Sequence, residues 1–239
     1  SFASVLASKD FDIIGIDIDK EKLKKIKTGK SPFYEPNIDK TLQKALKKKL
    51  ILSDKINDAV NNCDLIFVTV GTPMSSDGTI DLEIILNVCR EIGETLLKTQ
   101  NNPNIIIKST ITPGTTINKI KKTLEQKSGK KVGKGFSLIT NPEFLREGRA
   151  IEDTENPHLI VIGSNSKKES EKLIKFYKKV YHRNIPMVIT NNTTAEIIKY
   201  ANNSFLATKI SFINSISNLC QTLPGTNIDE VAKAIGIDP

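Results

Sequence analysis

The 239 residues, 38% hydrophobic and 26% charged, are enough for one large α/β domain or for one domain and part of a second. No run of about 18 apolar residues occurs, so no membrane-spanning helix and no membrane partner are expected. The net charge of +8 comes mostly from lysine clusters at 22–30, 44–49 and 119–134. No aromatic residues interleave with them as stacking on single strands requires, so they read as solvated helix faces and not as a nucleic-acid interface.

Along the chain, short apolar runs alternate with segments of helical spacing. The runs are 13–16, 50–52, 65–70, 105–107, 136–139, 159–162 and 187–189. Helical spacing covers roughly 19–28, 38–48, 81–98, 114–127 and 166–180, and residues 1–8 read as the tail of a helix. Continuous apolar strands separated by helices predict an α/β fold, a doubly wound Rossmann-like parallel sheet covered on both faces. Ligands of such sheets bind at the carboxyl ends of the strands. The runs here end in Asp17, Gly71-Thr72, Ser109-Thr110, Asn141 and Thr190.

From Thr193 to about Thr222 neither proline nor glycine interrupts a long helix whose apolar residues recur at threes and fours. A helix of about 30 residues spans about 45 Å, which suits a connector between domains or a dimerisation element. Its apolar face reads as packing. Leu223-Pro-Gly225 and a capped helix from about Asp229 to Ile235 follow. The expected division is a Rossmann-like domain over 1–191, and the long helix with the start of a second domain over 192–239.

Asp12-Ile-Ile-Gly-Ile-Asp17 reads as the second strand of a dinucleotide fold. A carboxylate at its end accepts the ribose hydroxyls of adenosine and repels a 2′-phosphate, which favours NAD. No Gly-x-Gly-x-x-Gly occurs in the sequence; the expected place for it, about 20 residues before the acid, lies ahead of Ser1, so either the chain is truncated at its front or the dinucleotide reading is wrong. Leu65–Pro73 is a buried strand running into Gly-Thr-Pro. Asp77–Leu82 is a turn and a helix start. Ile106–Thr116 is a strand, a hydroxyl-rich loop and a helix opened by Pro113. Glu143 and Glu147, four apart, share one face if their segment is helical, and Lys199 and Asn203 share one face of the long helix.

Taken in order, Val70-Gly-Thr-Pro73, Asp77-Gly-Thr-Ile-Asp81, Lys108-Ser-Thr-Ile-Thr-Pro-Gly-Thr115, Asn141-Pro-Glu-Phe-Leu-Arg-Glu-Gly148 and Ile198-Lys-Tyr-Ala-Asn-Asn-Ser-Phe-Leu-Ala-Thr-Lys209 resemble the UDP-glucose/GDP-mannose dehydrogenase family. The resemblance covers essentially the whole chain. It implies NAD as cofactor, a nucleotide-sugar substrate, a cytoplasmic homodimer joined through the long helix, and four-electron oxidation of the sugar's C6 alcohol to a carboxylate through a cysteine thioester. The Phe-Leu-Arg-Glu-Gly form is closer to the UDP-glucose branch, with UDP-N-acetyl-sugar and GDP-mannose oxidation as alternatives and a non-catalytic binding module as another.

The same resemblance implies roles for individual residues. Asp17 holds the adenosine ribose with Lys22 nearby; Val70, Gly71 and Thr72 lay backbone against the cofactor; Ser109 and Thr110 line its nicotinamide side, and Glu147 touches it. Glu143 is the acid/base of thioester hydrolysis, with Thr110 in the catalytic set. Lys199 and Asn203 face the oxyanion at C6, and Phe144, Leu145 and Arg146 run along the nucleotide sugar. For Lys209, also in the matched block, a solvated or interface role is expected as much as a substrate contact. Pro157-His-Leu159 departs from the family's usual Pro-Asp-Arg.

Cys63, Cys89 and Cys220 lie far apart with no Cys-x-x-Cys pair, and two histidines are too few for a metal site. No zinc and no disulfide framework are expected, which suits a reducing cytoplasm. None of the three cysteines has the glycine-rich context of the family's nucleophile, which is expected beyond Pro239.

Overall fold

The computed structural model describes residues 1–237. In chain order it contains α1 (Phe2–Ser8), β1 (Ile13–Ile16), α2 (Lys20–Lys27), α3 (Ile38–Lys48), β2 (Leu50–Ser53), α4 (Ile56–Asn62), β3 (Leu65–Val68), α5 (Glu83–Lys98) and β4 (Asn104–Ile107). A π-helical turn (Thr116–Ile120) then leads into α6 (Lys121–Ser128), β5 (Ser137–Thr140), α7 (Ala150–Glu155), β6 (Ile160–Ser164), α8 (Lys167–Val180), β7 (Met187–Thr190), α9 (Asn192–Thr222) and α10 (Ile228–Ile235). The fold is the expected α/β Rossmann-like one ending in a long helix, and every apolar run became a strand. The short helices α4 and α7 lie outside the segments read as helical.

The strands form two sheets, β1-β2 and β3-β4-β5-β6-β7. Strand β4 shows why continuous apolar sequence is needed. Its four residues are all buried, and alternate side chains enter different cores. Ile105 and Ile107 join Leu138 with residues of α5 and α6 on one face. Ile106 joins Ile139 with residues of α1 and α8 on the other. Such two-sided burial is what a central strand of a doubly wound sheet demands. At Gly93 of α5, a Cβ would lie 2.6 Å from the Lys127 Cβ, so α5 and α6 approach more closely there than side chains allow.

One expectation needs correction. The large sheet is not wholly parallel, because β6 runs antiparallel to β5 and meets it only at Ile139↔Ser164 and Thr140↔Gly163. Periodicity reports burial and carries no strand direction. Because the two strands overlap only near their carboxyl ends, β6 continues past the end of β5 and the ladder stops early. Asn141 takes over there: its amide donates to the Val161 carbonyl at 2.8 Å, and its oxygen accepts from the Tyr177 hydroxyl. Burial pushes the Tyr177 phenol well up, so it stays a proton donor.

The chain forms two compact units, residues 1–197 and residues from 198 on. The first ends at the beginning of α9, which is fastened to the sheet. Asn192 Oδ1 accepts from the Thr140 amide at 3.0 Å and hydroxyl at 2.9 Å. A Cβ on Gly163 would sit 2.7 Å from the Ala195 Cβ and 2.8 Å from the Asn191 carbonyl, so glycine is what lets the helix approach β6. In the second unit Asn227 caps α10 through the Asp229 amide at 2.9 Å. The apolar residues of α9 that read as packing include largely uncovered ones in this chain: Phe205 is 63% exposed and Leu219 54%. Among the described residues no helix is long and apolar enough to cross a membrane.

Candidate functional site

The carboxyl ends of β3, β4 and β5 are brought together by hydrogen bonds between the loops that follow them. The Thr72 hydroxyl donates to the Thr110 carbonyl at 2.7 Å, and the Ser109 hydroxyl donates to the Val70 carbonyl at 2.7 Å. The backbone N–H of Asn141 extends the ladder by donating to the Ile107 carbonyl at 2.8 Å. Three segments singled out in the sequence, 70–72, 109–110 and 141–145, thus share one rim. Two of the hydroxyls are spent on locking it: Ser109 and Thr72 each hold a neighbouring loop's backbone. Gly71 is exposed, and a Cβ built on it meets nothing within 4 Å. The strand end there is an open cradle which any side chain would begin to fill.

At the end of β1, Asp17 and Lys22 form a pair through Oδ2 and Nζ, while Oδ1 accepts from the Asp19 amide at 3.0 Å. The neighbouring Asp19 caps α2 through the Lys22 amide at 3.0 Å, which brings Lys22 back toward Asp17. A carboxylate offers about four lone-pair sites, so Asp17 keeps capacity for the hydroxyls of a ribose. Helix α1 joins this end to the larger sheet: Phe2 meets Phe67 of β3 edge-on at 5.1 Å, and Lys108, just past β4, lies over the Phe2 ring at 5.1 Å.

The segment 141–149 corrects the second expectation. Glu143 and Glu147 do not share a helix face; the stretch is irregular with a turn at 147–148, and α7 begins only at Ala150. Pro142 denies a backbone donor near its start, and Gly148 sits at φ +76, a conformation that side-chain-bearing residues resist. Glu143 is half-buried and has no hydrogen bond or ion pair among the described residues. It lines a cleft with Phe144, Leu145 and His158. Glu147 is exposed.

Arg146 is held. Its amide, Nε and Nη2 all donate to Asp153, at 2.8, 3.1 and 2.6 Å. That bond holds the Asp153 carboxyl below its ordinary range, opposed by burial. His158, where the Pro-Asp-Arg pattern is broken, meets the Phe144 ring edge-on at 6.1 Å.

On α9, Lys199 and Asn203 lie one turn apart in the second unit, Lys199 buried at 6% exposure and Asn203 exposed. One turn earlier, in the first unit, Glu196 is 2% exposed and accepts from the amides of Gly114 at 2.5 Å and Thr116 at 2.8 Å. It thereby satisfies free donors at the start of the π-helical turn, which begins later than the Pro113 opening read from the sequence. Of the three cysteines two pack on the core of the first unit, and Cys220 lies half-buried near the end of α9. Cys89 is fully buried in the core of α5 and its thiol is pushed up to about 12 by burial; the Cys63 thiol is also raised by burial.

Glu35, Asp153 and Glu196 are buried carboxylates that shape this region, and the sequence reading gave none of them a role. The available signals were thin: a Glu-Pro step, an acid seven residues after Arg146, and an acid one turn before Lys199.

Residues 1–181 match the NAD binding domain of the UDP-glucose/GDP-mannose dehydrogenase family, and residues 193–239 match that family's central domain. The chain is 35% identical over 240 residues to a UDP-glucose 6-dehydrogenase of Haloferax volcanii, covering 100% of this chain and 55% of that protein. It is 37% identical over 237 residues to a GDP-mannose 6-dehydrogenase of Pseudomonas syringae pv. tomato, covering 99% and 51%. Among solved structures, a ternary complex of GDP-mannose dehydrogenase from Pseudomonas aeruginosa superposes with a TM-score of 0.93 at 35% identity, covering 99% of this chain and 53% of that one. The chain therefore spans about half the length of these relatives. The cofactor that goes with the matched domain is NAD, and the open cradle at Gly71 and the unspent capacity of Asp17 fit it. This chain belongs to the UDP-glucose/GDP-mannose dehydrogenase family.

Proposed function

We propose that the protein is an NAD-dependent nucleotide-sugar 6-dehydrogenase that converts UDP-glucose, two NAD and water to UDP-glucuronate, two NADH and three protons. The observation that carries this reading is the rim at 70–72, 109–110 and 141–145. It combines an open glycine cradle with a half-buried carboxylate that nothing among the described residues engages. Bound NAD supplies the hydride acceptor at C6. In the proposed division of labour Asp17 and Lys22 hold the ribose, and the backbone of Val70, Gly71 and Thr72 forms the floor. Thr110 presents its side chain toward the nicotinamide while Ser109 fixes the loop, and Glu147 contacts the cofactor.

Glu143 is the general base that activates water against a thioester, a task for which an uncommitted carboxylate is suited. Lys199 and Asn203 stabilise negative charge at the C6 oxygen. Phe144 and Leu145 lie along the nucleotide sugar, with Arg146 anchoring that segment through Asp153. The nucleophile is none of Cys63, Cys89 and Cys220; the relatives are about twice as long, and we place it in the part of the protein this chain does not cover. We also propose a domain boundary at 191/192 and a homodimer through the exposed apolar side chains of α9.

The Phe-Leu-Arg-Glu-Gly form of 144–148 favours UDP-glucose. The likeness to GDP-mannose dehydrogenases favours GDP-mannose as the second reading. The experiment is turnover of the complete protein with NAD across UDP-glucose, UDP-N-acetylmannosamine and GDP-mannose. We expect two NADH per UDP-glucose and a preference of at least about tenfold in kcat/KM, equivalent to ~1.4 kcal/mol of transition-state binding. Preference for another sugar replaces the substrate; no turnover of any removes the reading.

A further inference from the structure

The segment Ser31-Pro-Phe-Tyr-Glu-Pro-Asn37 reverses the usual order of burial. Tyr34 is 91% exposed and Phe33 51%, while the carboxylate between them and Pro36 is 7% exposed. A buried carboxylate persists where it is hydrogen-bonded, and Glu35 Oε1 accepts from the Ala150 amide, the first residue of α7. The segment holding Glu35 is itself fixed on α3. The Ser31 amide donates to Asp39 at 2.7 Å, and Gln43 donates to the Gly29 carbonyl at 3.3 Å. Beside this bond Val5 of α1, Ile38 of α3 and Ile151 of α7 form a small apolar cluster. Glu35 therefore stands where the dinucleotide half meets the irregular segment 141–149, at the opposite end of that segment from Asn141.

We propose that Glu35 is a positioning residue for the dehydrogenase reaction: its bond to the Ala150 amide fixes the far end of the segment carrying Glu143 and Glu147. This rests on the dehydrogenase reading. The bond needs an acceptor oxygen at glutamate's reach and not a charge. Glutamine keeps the reach and loses the charge; aspartate keeps the charge and falls one methylene short. The test is made on the complete protein with Glu35→Gln and Glu35→Asp.

Glu35→Gln is expected to keep kcat within about threefold of the parent, and Glu35→Asp to lose at least tenfold in kcat with KM for NAD changed less than threefold. Backbone amide exchange over 142–150 is expected to speed at least tenfold in Glu35→Asp only. Equal kcat in the parent and Glu35→Asp overturns the proposal, as does an equal loss in both variants, which would make charge the operative property. If the parent oxidises no nucleotide sugar, the dehydrogenase reading fails by itself. The exchange measurement still decides whether Glu35 fixes the segment, and unchanged exchange in Glu35→Asp overturns that too.

Discussion

Gly71 is the residue at which the cofactor reading is most exposed to test. Its φ is ordinary and a Cβ meets nothing, so Gly71→Ala costs the folded protein little and occupies space only where a ligand's backbone approach is needed. The expected result in the complete protein is an unchanged unfolding midpoint and at least about tenfold weaker NAD binding by calorimetry, ~1.4 kcal/mol. Undiminished NAD binding would show that the Val70–Thr72 backbone does not form the floor.

Asp153 makes the opposite kind of residue-scale prediction, on stability. Its native pKa is depressed, first by the bond to Arg146, so the bridge contributes fully above the unfolded carboxylate range near ~3.9 and is lost as pH falls through the lower native value. Asp153→Asn should lower stability at neutral pH and flatten its decline between about pH 5 and pH 2. Parallel pH profiles for parent and variant would remove the linkage. Glu143 and Lys199 stood out in the sequence because each sits in a dense motif. Asp153 and Glu35 did not, because a lone acid in a polar stretch has the same sequence signature whether it is solvated or buried against an amide.

Elements divide in the same physical way. Strand β4 was legible because both of its faces are buried, which writes an unbroken apolar run; α5 was legible because it buries one face only. The reversal between β5 and β6 was not, since direction is set by a nine-residue connection and a short helix and leaves no trace in periodicity. Nor was the irregular course of 141–149, where a four-residue spacing of glutamates is compatible with a helix that the backbone does not form. Close approach of elements is a further property hidden in single residues. In Gly163→Ala the new methyl would face the Ala195 Cβ at 2.7 Å and two backbone atoms at 2.8 Å, none of which can rotate away. Overpacking of this kind costs about 1–3 kcal/mol, or a fall of roughly 2–12 °C in Tm for a chain of this size. The base of α9 would have to move off β6 to relieve it. A Tm within one degree of the parent by calorimetry would show that the helix start is not seated as described.

At the scale of the whole molecule the most consequential feature is the apolar surface of the second unit. On α9, Phe205, Phe212 and Leu219 recur every seven residues and are 63%, 53% and 54% exposed, with Leu206 and Ile210 at 48% and 52% between them. A seven-residue recurrence keeps to one stripe of a helix, which is the pattern by which one helix meets another. Burying the remaining exposed half of each such side chain is worth about 1 kcal/mol, and a two-fold interface counts every residue twice. The three stripe residues Phe205, Phe212 and Leu219 therefore supply on the order of 6 kcal/mol, at the lower end of the ~4–15 kcal/mol that association costs. The stripe can therefore be the centre of a dimer interface, though it needs neighbours on the rim to make it stable. Phe205 and Phe212 are not buried by residues 1–237, and replacing both with glutamate places like charges face to face across the two-fold. Light scattering of the complete protein at micromolar concentration should give a dimer mass for the parent and a monomer mass for Phe205→Glu/Phe212→Glu, with the same helical content by circular dichroism. A monomeric parent, or a doubly substituted protein that remains dimeric, would place the contact elsewhere and leave the α9 stripe unexplained.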